Sequence, residues 1–169
     1  RSIESPDEVL KKPLSDSDKL RMADLKANSF VGTPDKVAER LRTLAKDLGI
    51  WLQIGSMPVR ADEGRIANRC FLFGPTGEVV ARYDKIHMFD VDLDNGESWR
   101  ESATYEPGKR AMVLDLPSTR LGFAVCYDLR FPHLFRAEAL AGAQVLTVPA
   151  AFTRQTGEAH WHTLLRARA

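Results

Sequence analysis

Cys126 ends an apolar run, Leu121-Gly122-Phe123-Ala124-Val125, and is followed by the polar turn Tyr127-Asp128-Leu129-Arg130-Phe131-Pro132. A cysteine at a sharp strand-to-helix turn is held above a sheet edge, where a nucleophile can meet a ligand. The plain alternative is a space-filling thiol, since free cysteines are among the most buried residues. Lys85 lies in Tyr83-Asp84-Lys85-Ile86-His87-Met88-Phe89-Asp90, directly after another strand pattern. By itself it reads as a solvated lysine, and His87 as a hydrogen-bonded structural histidine. Glu101, in Trp99-Arg100-Glu101-Ser102, is a loop carboxylate, and Asp128 with Arg130 forms a candidate local ion pair that shapes the turn. A lysine ammonium beside a cysteine favours the thiolate, the form that attacks carbonyl carbon. Among Cys70, Cys126, His87, His160 and His162 no pair has the short Cys/His spacing of structural zinc sites, and there is no HExxH, so no metal site is expected. No glycine-rich phosphate loop follows a strand, so nucleotide binding has no support.

These residues need a frame. The helix that precedes them is clear: Thr33 suits an N-cap, Pro34 the first helical position, and Val37, Leu41, Leu44 and Leu48 form one apolar stripe. Gly49 then suits a left-handed C-terminal residue. A short buried strand follows at 50–56. Strands at 68–73 and 78–83, joined by Gly74-Pro75-Thr76-Gly77, make a hairpin. Residues 84–108 are expected to be a structured loop, and 111–116 and 120–126 strands. A helix is expected from about Pro132 to Ala141, a short buried strand at 144–148, and a last helix beginning near Glu158. Alternating helices and strands with a hairpin give an α/β class with a mixed sheet. Residues 1–32 are polar and poorly periodic, with one short helix expected around 17–26. The chain starts without Met and stops inside a helical pattern, so a single domain truncated at both ends is expected.

Composition narrows the partners. The chain has 169 residues, is 44% hydrophobic and 28% charged, and carries a formal net charge of +1. Nothing there suggests a nucleic-acid or membrane-surface partner. No apolar run approaches the roughly 20 residues of a membrane-spanning helix. Two distant cysteines argue against a disulfide framework and for a reducing, cytoplasmic setting.

Three stretches, taken in order, resemble the nitrilase, or carbon–nitrogen hydrolase, superfamily: residues 82–90, residues 122–132, and Pro149-Ala150-Ala151-Phe152 with Thr156-Gly157-Glu158-Ala159-His160-Trp161. The run 164–169 extends the match, which covers roughly residues 34–169. Cys-Tyr-Asp-Leu-Arg-Phe-Pro and Gly-x-Ala-His-Trp resemble the branch of ω-amidases and deaminated-glutathione amidases, which cleave the terminal amide of small carboxylate-bearing amides. True nitrilases differ around the cysteine. The resemblance implies an α-β-β-α sandwich and a Glu-Lys-Cys triad needing no metal or organic cofactor. It makes Cys126 the nucleophile, Lys85 the triad lysine and oxyanion donor, and Glu101 the second glutamate. The backbone N–H of Tyr127 would be the second oxyanion donor. The first triad glutamate normally sits in a Pro-Glu step upstream of the helix at 34–48. Glu4 and Glu8 lack those neighbours, so that glutamate is expected upstream of Arg1.

Phe152 and Thr153 are candidates to line the pocket, and Arg130 or Arg154 to receive a substrate carboxylate. A small-molecule amide is the expected partner, with homo-oligomerisation implied by the family. Trp161 and the apolar face of the last helix are candidates for an oligomer interface, with core packing the simpler account. Two other functions stay open: a non-catalytic binding or assembly module on the same fold, and an acyltransfer enzyme that sends the same thioester to an acceptor other than water.

Overall fold

The computed structural model describes residues 15–21, 33–61, 64–92, 96 and 98–169. The chain divides into two compact units, Arg1–Leu44 and Ala45–Ala169. In the first, residues 16–21 form the short helix α1; the rest of the helix expected at 17–26 lies outside the described residues. Helix α2, Pro34–Leu48, begins as its sequence predicts, with the Val37 N–H bonded to the Thr33 carbonyl. It ends in a Schellman arrangement: Gly49, at φ 61°, donates to Lys46, and Ile50 donates to Ala45. Leu41 and Ala45 are its buried positions, whereas Leu48, predicted on the apolar stripe, is exposed.

The second unit is built on two three-stranded sheets. The first has the order β1 (Leu52–Arg60), β2 (Ile66–Phe73), β3 (Val79–Asp84), all antiparallel. The β2–β3 pair is the hairpin read from Gly74–Gly77. β1 is longer than the strand expected at 50–56. It continues past a register shift between Ile54 and Met57 and through Pro58, which an outer strand of a sheet accommodates. It is also only half buried rather than a core strand. Residues 84–108 contain a small hairpin, β4 (Asp90–Asp92) with β5 (Ser98–Arg100), and a 3₁₀ turn at Glu101–Ala103. The second sheet is β6 (Val113–Leu116), β7 (Thr119–Phe123) and β8 (Val145–Thr147). β6–β7 is antiparallel and β7–β8 parallel, joined through helix α3 (Pro132–Leu140).

Cys70, Leu72, Ala81 and Tyr83 of the first sheet and Leu121 and Phe123 of the second, with Val125 just past β7, form one buried cluster, so the sheets pack face to face. The Gln53 amide reaches across the layers to Thr147 Oγ1 at 2.8 Å. On the far face of the second sheet, Ala124, Leu129, Leu134 and Phe135 gather Leu146, Val148, Phe152, Trp161, Leu164 and Leu165. Trp161 thus packs in the interior layer, edge-on to Phe152 at 5.0 Å. The last helical segment starts earlier than expected, at Arg154 rather than near Glu158, because Thr153 caps it: its hydroxyl accepts the Thr156 N–H. A π-helical stretch, Gly157–Trp161, then leads into α-helix His162–Arg168.

One buried ionisable group stands out beneath this layer. Glu138 of α3 is 1% exposed; its Oε1 accepts the Phe123 N–H at 3.1 Å, and Oε2 has no partner among the described residues. Gly122 makes room for it, since a Cβ there would lie 3.0 Å from Oε2 and 2.7 Å from the Leu146 side chain. Burial pushes the Glu138 carboxyl up from 4.5 to about 8, aided by the Asp128 charge and opposed by the Phe123 N–H. A carboxyl raised on folding stabilises the fold fully below its unfolded pKa, and that contribution is lost as pH rises through the folded value. Thermal stability is therefore expected to fall between about pH 4.5 and about pH 8. In Glu138→Gln this slope is flattened. An unchanged slope in a melting series of the variant would place the titration elsewhere.

Candidate active site

Cys126 does not end β7; the strand stops at Phe123, and Cys126 opens the 3₁₀ turn Cys126–Arg130. It has φ 48°, the single positive φ among the described non-glycine residues. A left-handed backbone costs an ordinary side chain roughly 1–2 kcal/mol. It is held there by neighbours: the Cys126 N–H donates to the Pro149 carbonyl at 2.9 Å, just past β8, and the Asp128 N–H donates to Val125 O. Cys126 is half-buried, whereas Cys70, on β2, is sealed in the core. Tyr127 follows in the first turn of the 3₁₀ segment, where backbone N–H groups lack an intrahelical acceptor.

Lys85 leaves the end of β3. Its backbone is clamped on both sides: its N–H donates to Asn68 O at 2.9 Å and its carbonyl accepts the Gly108 N–H at 2.8 Å. That close approach demands glycine at 108, because a Cβ would collide with the Asp84 carbonyl. The Lys85 side chain is 3% exposed and its Nζ donates to Glu101 Oε2 at 2.5 Å. The same oxygen accepts the Phe89 N–H at 2.6 Å. A buried ammonium is tolerable only when so paired.

The Glu101 turn is itself stitched down. Asp90 accepts the Ser102 N–H and hydroxyl, which hold its carboxyl below the usual range. Arg65 donates to the carbonyls of Ser102 and Tyr105, and the Glu106 N–H donates to Ile66 O.

Lys85, Glu101 and Cys126 line one cavity of about 690 Å³, with Asn68, Phe89, Trp99 and Tyr105. A second cavity of about 490 Å³ also reaches Cys126 and is lined by Tyr127, Arg130, Phe152 and Thr153. Phe89, Trp99 and Ala151 border both. The pocket residues read from sequence, Arg130, Phe152 and Thr153, thus come together beside Cys126. Arg154 does not: it borders a separate cavity with His162 and pairs with Glu158 at 2.8 Å. Asp128 and Arg130 do not form the local pair expected of them. Asp128 turns inward to Tyr83, His87 and Val125, while the Arg130 guanidinium lies over the rings of Tyr127 and Phe152, 5.8 and 5.7 Å from their centroids. Sequence reasoning missed Phe89, Trp99, Asn68 and Tyr105 as lining residues. The first two lie within a few residues of Lys85 and Glu101, and an aromatic near each charged candidate was the available signal. Glu4 and Glu8 lie outside the described residues, among which no group of three or more metal-ligating side chains occurs.

A carbon–nitrogen hydrolase family model matches residues 18–169. The chain belongs to the carbon–nitrogen hydrolase family. It is 54% identical over 134 residues to a deaminated glutathione amidase of Yersinia enterocolitica, covering 78% of this chain and 47% of that protein. It is 41% identical over 136 residues to the omega-amidase NIT2 of Homo sapiens, covering 80% of this chain and 49% of that one. It also resembles the solved amidase of Nesterenkonia sp. AN1, at 31% identity and a TM-score of 0.65, covering 86% of this chain and 54% of that one. The chain therefore spans about half the length of the curated relatives it matches. The α/β sandwich expected from the sequence agrees with these nitrilase-superfamily neighbours. No described helix is long and apolar enough to cross a membrane.

The two thiols of this family member should react very differently. Burial, then the charges of Asp128 and Asp84, push the Cys70 thiol up from 9.0 to about 12. That leaves on the order of 10³-fold less thiolate than an ordinary cysteine at neutral pH. Limited treatment of the folded protein with iodoacetamide, followed by peptide mass mapping, is expected to modify Cys126 and spare Cys70. Comparable labelling of both would contradict this arrangement.

Proposed function

We propose that the whole protein is a cysteine-dependent amidohydrolase that converts a small carboxylate-bearing amide to the acid and ammonia. The observation that carries this reading is the placement of Cys126, in a left-handed turn, on the same cavity wall as the buried Lys85–Glu101 pair. A thiolate from Cys126 attacks the amide carbonyl. The carbonyl oxygen gains negative charge, and the Lys85 ammonium and the Tyr127 N–H are the donors for it. The tetrahedral intermediate collapses to a thioester as the nitrogen leaves, protonated, as ammonia. Water then adds to the thioester and releases the acid, with a carboxylate base carrying the proton in each half. Glu101, fixed by Phe89 and bonded to Lys85, orients the ammonium. The family's other glutamate has no counterpart among the described lining residues of the cavity.

The same reading assigns the second cavity to the acyl portion of the substrate. Arg130 faces aromatic rings and, through Nη2, His160 rather than a described carboxylate, which suits it to receive a substrate carboxylate with the rest of its guanidinium. Phe152 and Thr153 line the same space. The names of two relatives, a deaminated glutathione amidase and an omega-amidase, support this substrate class. The Nesterenkonia amidase, solved with the product of Michael addition of acrylamide at its active-site cysteine, supports the cysteine as the reactive group.

The test is ammonia release by the complete protein from ω-amides, deaminated glutathione and simple nitriles. Carboxylate-bearing amides are expected to be hydrolysed and nitriles not. Cys126→Ala should lower the rate by about 10⁴-fold or more. Silence across the amides, or full activity without the Cys126 thiol, would sink the proposal.

A further inference from the structure

We propose that Asp128 is a positioning residue that sets the geometry between Lys85 and Cys126, through a single carboxylate shared by the two segments that carry them. The proposal rests on the amidohydrolase reading and adds a residue to it that touches neither substrate nor the reacting atoms.

Asp128 is fully buried. Its Oδ1 accepts the backbone N–H of His87 at 2.9 Å and lies 2.7 Å from His87 Nδ1. Its Oδ2 accepts the backbone N–H of Val125 at 2.9 Å and the Tyr83 hydroxyl at 2.8 Å. Burial and the Asp128 charge push the Tyr83 phenol far above its usual range, so it remains a donor. Tyr83 and His87 lie two residues before and two residues after Lys85, and Val125 immediately precedes Cys126. The two ends of one carboxylate therefore grip the lysine segment and the entry to the left-handed turn. The His87 ring is also stacked on Phe131, 3.7 Å between centroids, which fixes the plane of the ring while Nδ1 meets Asp128 at its edge. Elsewhere the two segments are anchored to different partners: Lys85 to Asn68 and Gly108, Cys126 to Pro149.

The chemistry of the four donors explains why a carboxylate is needed. Each oxygen receives one backbone N–H, which cannot turn round or become an acceptor. Asparagine has the same shape, but either orientation of its amide sets an NH₂ against one of those two N–H groups. A buried N–H facing another donor loses its partner, and the segment must shift to relieve it. A displacement of about 1 Å at a reacting group costs on the order of 10²-fold in rate.

The experiment uses the complete protein and two variants, Asp128→Asn and Tyr83→Phe. Each is followed by circular dichroism, by kcat and KM for an amide the parent hydrolyses, and by the rate of Cys126 alkylation with iodoacetamide. A folded Asp128→Asn protein is expected to lose about 10²-fold in kcat with KM within about twofold, and to be alkylated more slowly at Cys126. Unchanged kcat and alkylation, or a raised KM with kcat intact, would overturn the proposal. Should Asp128→Asn not fold, Tyr83→Phe decides: it removes one donor and leaves both backbone bonds. A severalfold fall in kcat at constant KM supports the positioning role, and parental kcat and alkylation rate refute it. Failure of the amidohydrolase reading would show instead as a parent without activity, and the alkylation rates would still report on Asp128.

Discussion

A left-handed backbone at a non-glycine residue is the constraint around which this structure is arranged. Cys126 takes φ 48° because the chain must turn from β7 into the 3₁₀ segment within a few residues while presenting a thiol to a cavity. Strain of that kind persists only where the surroundings over-determine it. Here they do: Pro149 receives the Cys126 N–H, Val125 receives the Asp128 N–H, and the Asp128 carboxylate receives the Val125 N–H in return. The parallel β7–β8 pairing brings Pro149 to that place, and α3 between them supplies the apolar side chains that close the layer. Fold and site therefore share their supports.

The second requirement is a charge kept out of water. Lys85 is buried at the end of β3, and burying an unpaired ammonium would cost several kcal/mol. Glu101 meets that cost, but only because its own loop is tied to β2 by Arg65 and Glu106 and to Asp90 by Ser102. The small β4–β5 hairpin, which joins the lysine segment to the glutamate turn, is thus part of the site's frame. It also carries Trp99 to the border of both cavities.

Much of this frame was legible in the sequence where one local signal decides an element. Thr33-Pro34 and Gly49 bound α2, and Gly74–Gly77 marks the β2–β3 hairpin, because caps and turns depend on residues close in the chain. The extension of β1 through Pro58 was not legible, since it depends on pairing with β2 rather than on β1's own pattern. The early start of the last helical segment had a signal in Thr153, three residues before Thr156, that the Pro149-Ala150-Ala151 break obscured. The candidate site shows the same division. Cys126, Lys85 and Glu101 were named from motif and resemblance, and the cavity brings them together. Asp128 read as half of a surface ion pair, because no sequence pattern shows that Tyr83 and His87, more than 40 residues away, would turn toward it. Arg154 read as equivalent to Arg130, yet one turn of helix directs it to Glu158 instead.

The central claim is that Cys126 carries the acyl group between amide and acid, and a covalent intermediate can be weighed directly. The complete protein would be mixed with a hydrolysable ω-amide, quenched in acid during the first turnovers, digested, and examined by mass spectrometry. The account predicts that the peptide containing Cys126 gains the mass of the acyl group and loses it again when substrate is exhausted. Turnover with the Cys126 peptide unmodified throughout, or with the acyl group on another side chain, would contradict it.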